Sequence, residues 1–165
     1  MYKSIIIGFA AIVVSLSVVA YDAEAAAATV KTGHVGDALR LRGSDMTYTT
    51  ADVTVWKTVR VPEENLLGVR LTLRNVRTKY NKYTDWQDSI ANCVRLTDAN
   101  GRKMPVIPAP TLIGPEDEIS LIHLDIGESV RGWVYFRLKP HQVAKTFQFK
   151  VNGRFGYDTG RWSLR

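Results

Sequence analysis

Arg131, Trp133, Tyr135 and Arg137 stand at every second position of one segment, the spacing that brings residues to a single face of a β-strand. Guanidinium groups flanking large rings supply cation–π contact, stacking and charge-assisted hydrogen bonds to carboxylate or phosphate. That is chemistry for holding an anionic ligand, not for breaking a bond. Arg70 and Arg74 extend the row if their strand lies alongside. The same pattern also serves a sheet that only stacks its outer side chains on one another, so binding and stabilisation are two readings of one face. A second cluster, Arg77, Lys79, Tyr80, Lys82, Tyr83 and Trp86, interleaves bases with rings in a segment expected to be an exposed loop. Such a loop suits an acidic glycan or peptide; a loop folded back over the sheet is the competing reading.

Reactive groups are sparser. The chain has no HExxH, GxSxG or CxxC and no glycine-rich phosphate loop, the local signatures of zinc hydrolases, serine hydrolases, dithiol redox centres and nucleotide sites. His34, His123 and His141 are far apart, and only His123 with Asp125 share a strand face from which a metal could be held. Glu116, Asp117 and Glu118 offer hard oxygens without the interleaved spacing of a calcium loop. Asp85 and Asp88 could be read as a carboxylate pair for glycoside hydrolysis. In each case solvated surface charge is the preferred reading, so no catalytic residue, metal or cofactor is assigned. Cys93 is the one cysteine; it cannot close an internal disulfide, and it reads as a packing residue, with an intermolecular bridge as the alternative.

The compartment comes from the first residues. Met1 to Lys3 is a short basic start and Ile5 to Ala20 an apolar run, followed by small residues around Ala23 and Ala25. This is the layout of a secretory signal, expected over residues 1–25 with cleavage after Ala25; an uncleaved anchor is the alternative. No cysteine follows the run, so a lipoprotein anchor has no acceptor. The 165-residue chain carries a net charge of +6, and loss of Lys3, Asp22 and Glu24 would make the remainder slightly more basic. A basic surface attracts polyanions, and in an exported protein these are envelope polymers, not nucleic acid.

Behind a linker at 26–35, the elements that must position these residues read as strands. Leu39 and Leu41 alternate with Arg40 and Arg42; Val53, Val55, Val59 and Val61 mark one side of the next segment, which Pro62 ends. Leu67, Val69, Leu71 and Leu73 oppose Arg70, Thr72 and Arg74, and a slip of one residue would bury the arginines. A strand over 90–97 leads into Asp98-Ala99-Asn100-Gly101, a tight hairpin signal, with Met104 to Ile107 returning. Leu121 to Asp125, then Val130, Val134, Phe136 and Leu138, then Phe147, Phe149 and Val151 continue the alternation, and the chain finishes on an extended segment with Tyr157, Trp162 and Leu164. Seven to nine short strands and no long helix predict one all-β domain over 36–165, an antiparallel immunoglobulin-like sandwich; a small closed barrel buries strands the same way.

Several of these segments carry a family resemblance: Val35-Gly36-Asp37, the run Val69 to Asn75, Leu96 to Gly101, and Asp125 to Phe136 with its glycine-glutamate turn and terminal aromatic. In this order they resemble a bacterial family of secreted and lipoprotein immunoglobulin-like domains of unknown function, related in fold to secreted mycobacterial antigens. The resemblance spans Gly33 to Arg165. It implies the sandwich and an extracytoplasmic setting and brings no activity with it; the chain departs from the lipoprotein members in lacking their anchoring cysteine. The expectation is therefore an exported, non-enzymatic binding module for an envelope polyanion or a protein partner, in the periplasm or outside the cell. A structural component of an envelope complex is the alternative, and a hydrolase built from dispersed residues ranks last.

Overall fold

The computed structural model describes residues 28–43, 49–76, 85–109, 117–153 and 157–164. The expected leader and its cleavage site lie outside them. Among the described residues no helix is long and apolar enough to cross a membrane.

The described chain is a β-sandwich. Its strands are β1 (Val30–His34), β2 (Ala38–Arg42), β3 (Thr50–Val61), β4 (Leu66–Val76), β5 (Asp85–Ser89), β6 (Val94–Asp98), β7 (Lys103–Met104), β8 (Val106–Ile107), β9 (Leu121–Asp125), β10 (Ser129–Arg137), β11 (Ala144–Phe149) and β12 (Thr159–Ser163). A terminal sheet runs β1-β12-β11-β6-β7, a central sheet runs β2-β3-β4-β10-β8, and β5 pairs with β9 alone. The ladders are antiparallel except β1 on β12, which is parallel.

The alternation in the sequence explains why two sheets close on each other. Val53, Val55, Val69, Leu71, Leu73, Val134 and Phe136 leave the central sheet, and Leu96, Phe147, Phe149 and Trp162 leave the terminal sheet, to form one core. Trp86, Ile122 and Leu124 of the β5-β9 pair join it, and the Trp86 ring meets Phe149 edge to face at 6.1 Å. Burying side chains of this size is worth roughly 1.5–3 kcal/mol each, which lets the sandwich stand without a disulfide.

Four local expectations are corrected. Val30–His34, expected in a linker, is β1, because its backbone completes the ladder of β12. Residues 90–93 form a helical turn, α1 (Ile90–Cys93), in place of strand: Ile90 and Cys93 are both buried, and residues three apart share a face only in a helix. Met104 to Ile107 is split, since β7 pairs with β6 whereas β8 pairs with β10; between them Pro105, without an N–H, is where the chain changes sheets. In β3 the register shifts between Val55 and Lys57, and this bulge turns Val59, 42% exposed, away from the side on which Val53 and Val55 are fully buried.

Candidate functional site

The outer face of the central sheet is built by β3, β4 and β10. The register stacks its side chains in cross-strand rows: Asp52, Arg74 and Ser129; Thr54, Thr72 and Arg131; Lys57, Arg70 and Trp133; Val59, Gly68 and Tyr135; Val61, Leu66 and Arg137. Arg70, Arg74, Arg131, Trp133, Tyr135 and Arg137 thus come to one face because alternation along β4 and β10 agrees with their antiparallel pairing.

Two residues that sequence reasoning passed over complete the face. The bulge in β3 inserts Trp56 between Val55 and Lys57 and turns both Trp56 and Lys57 outward. The Trp56 Nε1–H donates to Thr72 Oγ1 at 2.8 Å, and the Arg131 Nε–H donates to the same oxygen at 3.0 Å. These two bonds hold the Arg131 guanidinium over the Trp56 ring, 5.1 Å from its centroid. Beside them Trp133 stacks on Tyr135 at 6.3 Å and is flanked by the Lys57 ammonium at 5.5 Å and the Arg70 guanidinium at 5.7 Å. Three cations therefore lie on two tryptophans, each pair contributing about 0.5–1 kcal/mol at such exposed sites.

The members differ in what they can touch. Trp56 is 45% exposed and Trp133 half-buried, whereas Tyr135 is 2% exposed. Burial pushes the Tyr135 phenol up from its ordinary value, with the Glu118 and Asp117 carboxylates adding to the shift. Tyr135 is therefore a support under Trp133 and not a contact surface, and Gly68 opposite leaves room for both rings: a Cβ there would lie 3.1 Å from each. Asp52 is engaged by Arg40 through two hydrogen bonds of 2.8 and 2.9 Å. Asp117 reaches Arg70 at 3.7 Å. Arg74 and Arg137 are exposed at opposite ends of the face, which keeps a positive excess.

The second expected cluster fares differently. Arg77, Lys79, Tyr80, Lys82 and Tyr83 lie outside the described residues. Trp86 does not: it is 1% exposed in the core, a correction to its expected exposure, because its partner across the ladder is the inward Leu124. The groups considered for chemistry do not converge. Asp85 and Asp88 point to opposite faces of β5, and Asp88 Oδ2 accepts the Cys93 Sγ–H at 3.0 Å. Burial, followed by that carboxylate, pushes the Cys93 thiol well above the usual thiol range. His123 and Asp125 do share the exposed face of β9, yet among the described residues no three His, Cys, Asp or Glu side chains gather as metal ligands. Of the acidic triplet, Asp117 and Glu118 are described, and both belong to an edge contact: the Trp133 N–H donates to the Asp117 carbonyl at 2.6 Å and the Ile119 N–H to the Trp133 carbonyl at 2.9 Å.

No protein-family model and no curated protein matches the sequence. Similarity appears in structure. The secreted protein MPT63 from Mycobacterium tuberculosis superposes with a TM-score of 0.56 at 15% identity, over 81% of this chain and 97% of its own. The yjhA protein from Bacillus subtilis does so with a TM-score of 0.60 at 13% identity, over 81% of this chain and 100% of its own. At these identities the likeness is one of fold.

Proposed function

We propose that this protein is an exported, non-enzymatic binding module of the bacterial envelope or extracellular space, and that the outer face of its central sheet grips an anionic polymer. Within that class an acidic glycan fits best: the exposed edges of Trp56 and Trp133 pack on sugar rings while Arg131, Arg70 and Lys57 meet carboxylates. The observation that carries the reading is the triad of cations laid on two solvent-facing tryptophans. A face that only stabilised the sheet would gain more from closing those rings off from water. Export is supported by the leader-like layout of residues 1–25 and by the fold shared with a secreted protein.

Calorimetric titration with an acidic polysaccharide at low and high salt tests the site. Arg131→Ala combined with Trp133→Ala should weaken binding at least tenfold, and Lys57→Gln about two- to fivefold, each with unchanged β-type circular dichroism. Undiminished affinity in the folded double variant would remove this face as the site. Salt should weaken the wild type, because exposed charge pairs are screened over about 8–10 Å at ordinary ionic strength.

A further inference from the structure

The opposite surface of the sandwich carries a second positive region of different chemistry. On the outer face of the terminal sheet, Thr32, Arg161, Gln148 and Arg95 form one row across β1, β12, β11 and β6. With strands about 4.8 Å apart, the two arginines stand about 10 Å from each other with the Gln148 amide between them. Lys150 follows on from β11, and Lys103 enters from β7. Arg95, Lys103, Gln148, Lys150 and Arg161 line one open groove of about 740 Å³. Next to this row, His34, Ser163, Thr146, Thr97 and Lys103 make another, rich in hydroxyls.

These cations have no acidic partner among the described residues. The acids nearest in the topology are engaged elsewhere. Asp37 accepts the His34 backbone N–H at 2.7 Å. Asp98 takes Arg102 and two backbone N–H groups within its own hairpin, and Gln142 from the connection between β10 and β11. Asp158 is fully buried against Lys31 and Arg42. Four like charges gathered on one face repel one another, and an opposing row of anions relieves that repulsion. Among the described residues the groove is lined by no aromatic side chain, in contrast to the ring surfaces of the central sheet. It presents guanidinium and ammonium groups with an amide between them, the donor set that phosphate oxygens accept.

We infer that this groove is a second anion site, independent of the central face, and that its ligand is a linear phosphate-bearing polymer lying across β12, β11 and β6. The two faces point away from each other, so one molecule can hold two polymers, or two stretches of one, at once.

The test is calorimetry on the whole protein in the Arg131→Ala/Trp133→Ala background, so that the fate of the central face does not affect the result. Inorganic polyphosphate is the first probe and poly(glycerol phosphate) the second; whichever binds more tightly identifies the source of the phosphate. Arg95→Gln with Arg161→Gln should weaken binding at least tenfold and make the slope of log K against log salt shallower by about two. Arg60→Gln with Lys139→Gln removes the same charge outside the groove and should leave affinity within twofold. Equal losses in the two pairs would reduce the effect to net charge and overturn the site, as would unchanged affinity in the groove variant. Polyglutamate binding as tightly as both phosphate polymers would overturn the phosphate assignment.

Discussion

At the scale of single residues, the strongest constraints are buried. Asp158 is 0% exposed and draws the Thr29 hydroxyl at 2.7 Å, the Arg42 backbone N–H at 3.0 Å, the Arg42 guanidinium at 3.1 Å and the Lys31 ammonium at 3.1 Å. Burial alone would raise its pKa, but these donors outweigh burial and hold the carboxyl well below the usual carboxylate range. Asp98 is held down to about 2 in the same way, by the Arg102 backbone and side chain, Gln142 and the Asn100 backbone acting against burial. Because both folded pKa values lie below the unfolded value of 3.8, the unfolded chain binds protons first as pH falls. Stability from these groups is full above about pH 5 and drains away from there toward pH 2 and below. Urea midpoints measured between pH 6 and pH 2 should therefore fall steeply in the wild type and less steeply in Asp158→Asn. Asp158→Ala should cost about 2–3 kcal/mol at pH 7, since it strands two cations that are themselves only partly buried. Cys93 gives a simpler outcome: its buried thiol, held protonated beside Asp88, should resist Ellman's reagent at pH 8 in the native protein and react fully in denaturant.

At the scale of elements, close approaches decide what the face can be. A Cβ on Gly132 would stand 2.0 Å from the Asp117 carbonyl oxygen, the group that pairs with Trp133. Gly132→Ala should lower stability by about 1–3 kcal/mol in chemical denaturation and weaken polymer binding with it. Gly68→Ala is milder: its methyl meets only ring carbons at 3.1 Å, so the expected readout is a shift in tryptophan fluorescence and a loss of affinity at nearly constant stability. The arrangement of β4 and β10 was legible from alternation alone, because one-sided burial fixes which residues share a face. Trp56 and Lys57 were not legible, for a bulge is an extra residue in a ladder, and its place depends on the partner strand. The same holds for Ile90 to Cys93, where four residues are too few for a helical period to stand out, although a burial pair three apart was the available signal. Trp86 was misplaced because its neighbours Asp85, Gln87 and Asp88 are polar; alternation across Asp85, Trp86 and Gln87 is also what a short strand with one buried face looks like. The groove on the terminal sheet escaped notice for another reason. Arg95, Lys103 and Arg161 sit on separate strands and Lys150 just beyond the end of a fourth, and only the strand order brings them together.

At the scale of the whole molecule, charge is distributed over two outward surfaces with an apolar layer between them. If both surfaces bind, mixing the protein with a long anionic polymer should produce light scattering that rises to a maximum at intermediate stoichiometry and falls with excess polymer. Variants lacking either surface should bind without that maximum. The parallel ladder of β1 on β12 adds a consequence in time. Thr29 and Asp158, which lie beside that ladder and bond to each other, are 129 positions apart, so a chain that emerges from its N-terminal end keeps β1 waiting until β12 has appeared. Long-range pairings of this kind form late and slowly. A polypeptide threaded through a narrow conduit would thereby stay pliant until β12 has passed and lock shut at the far side.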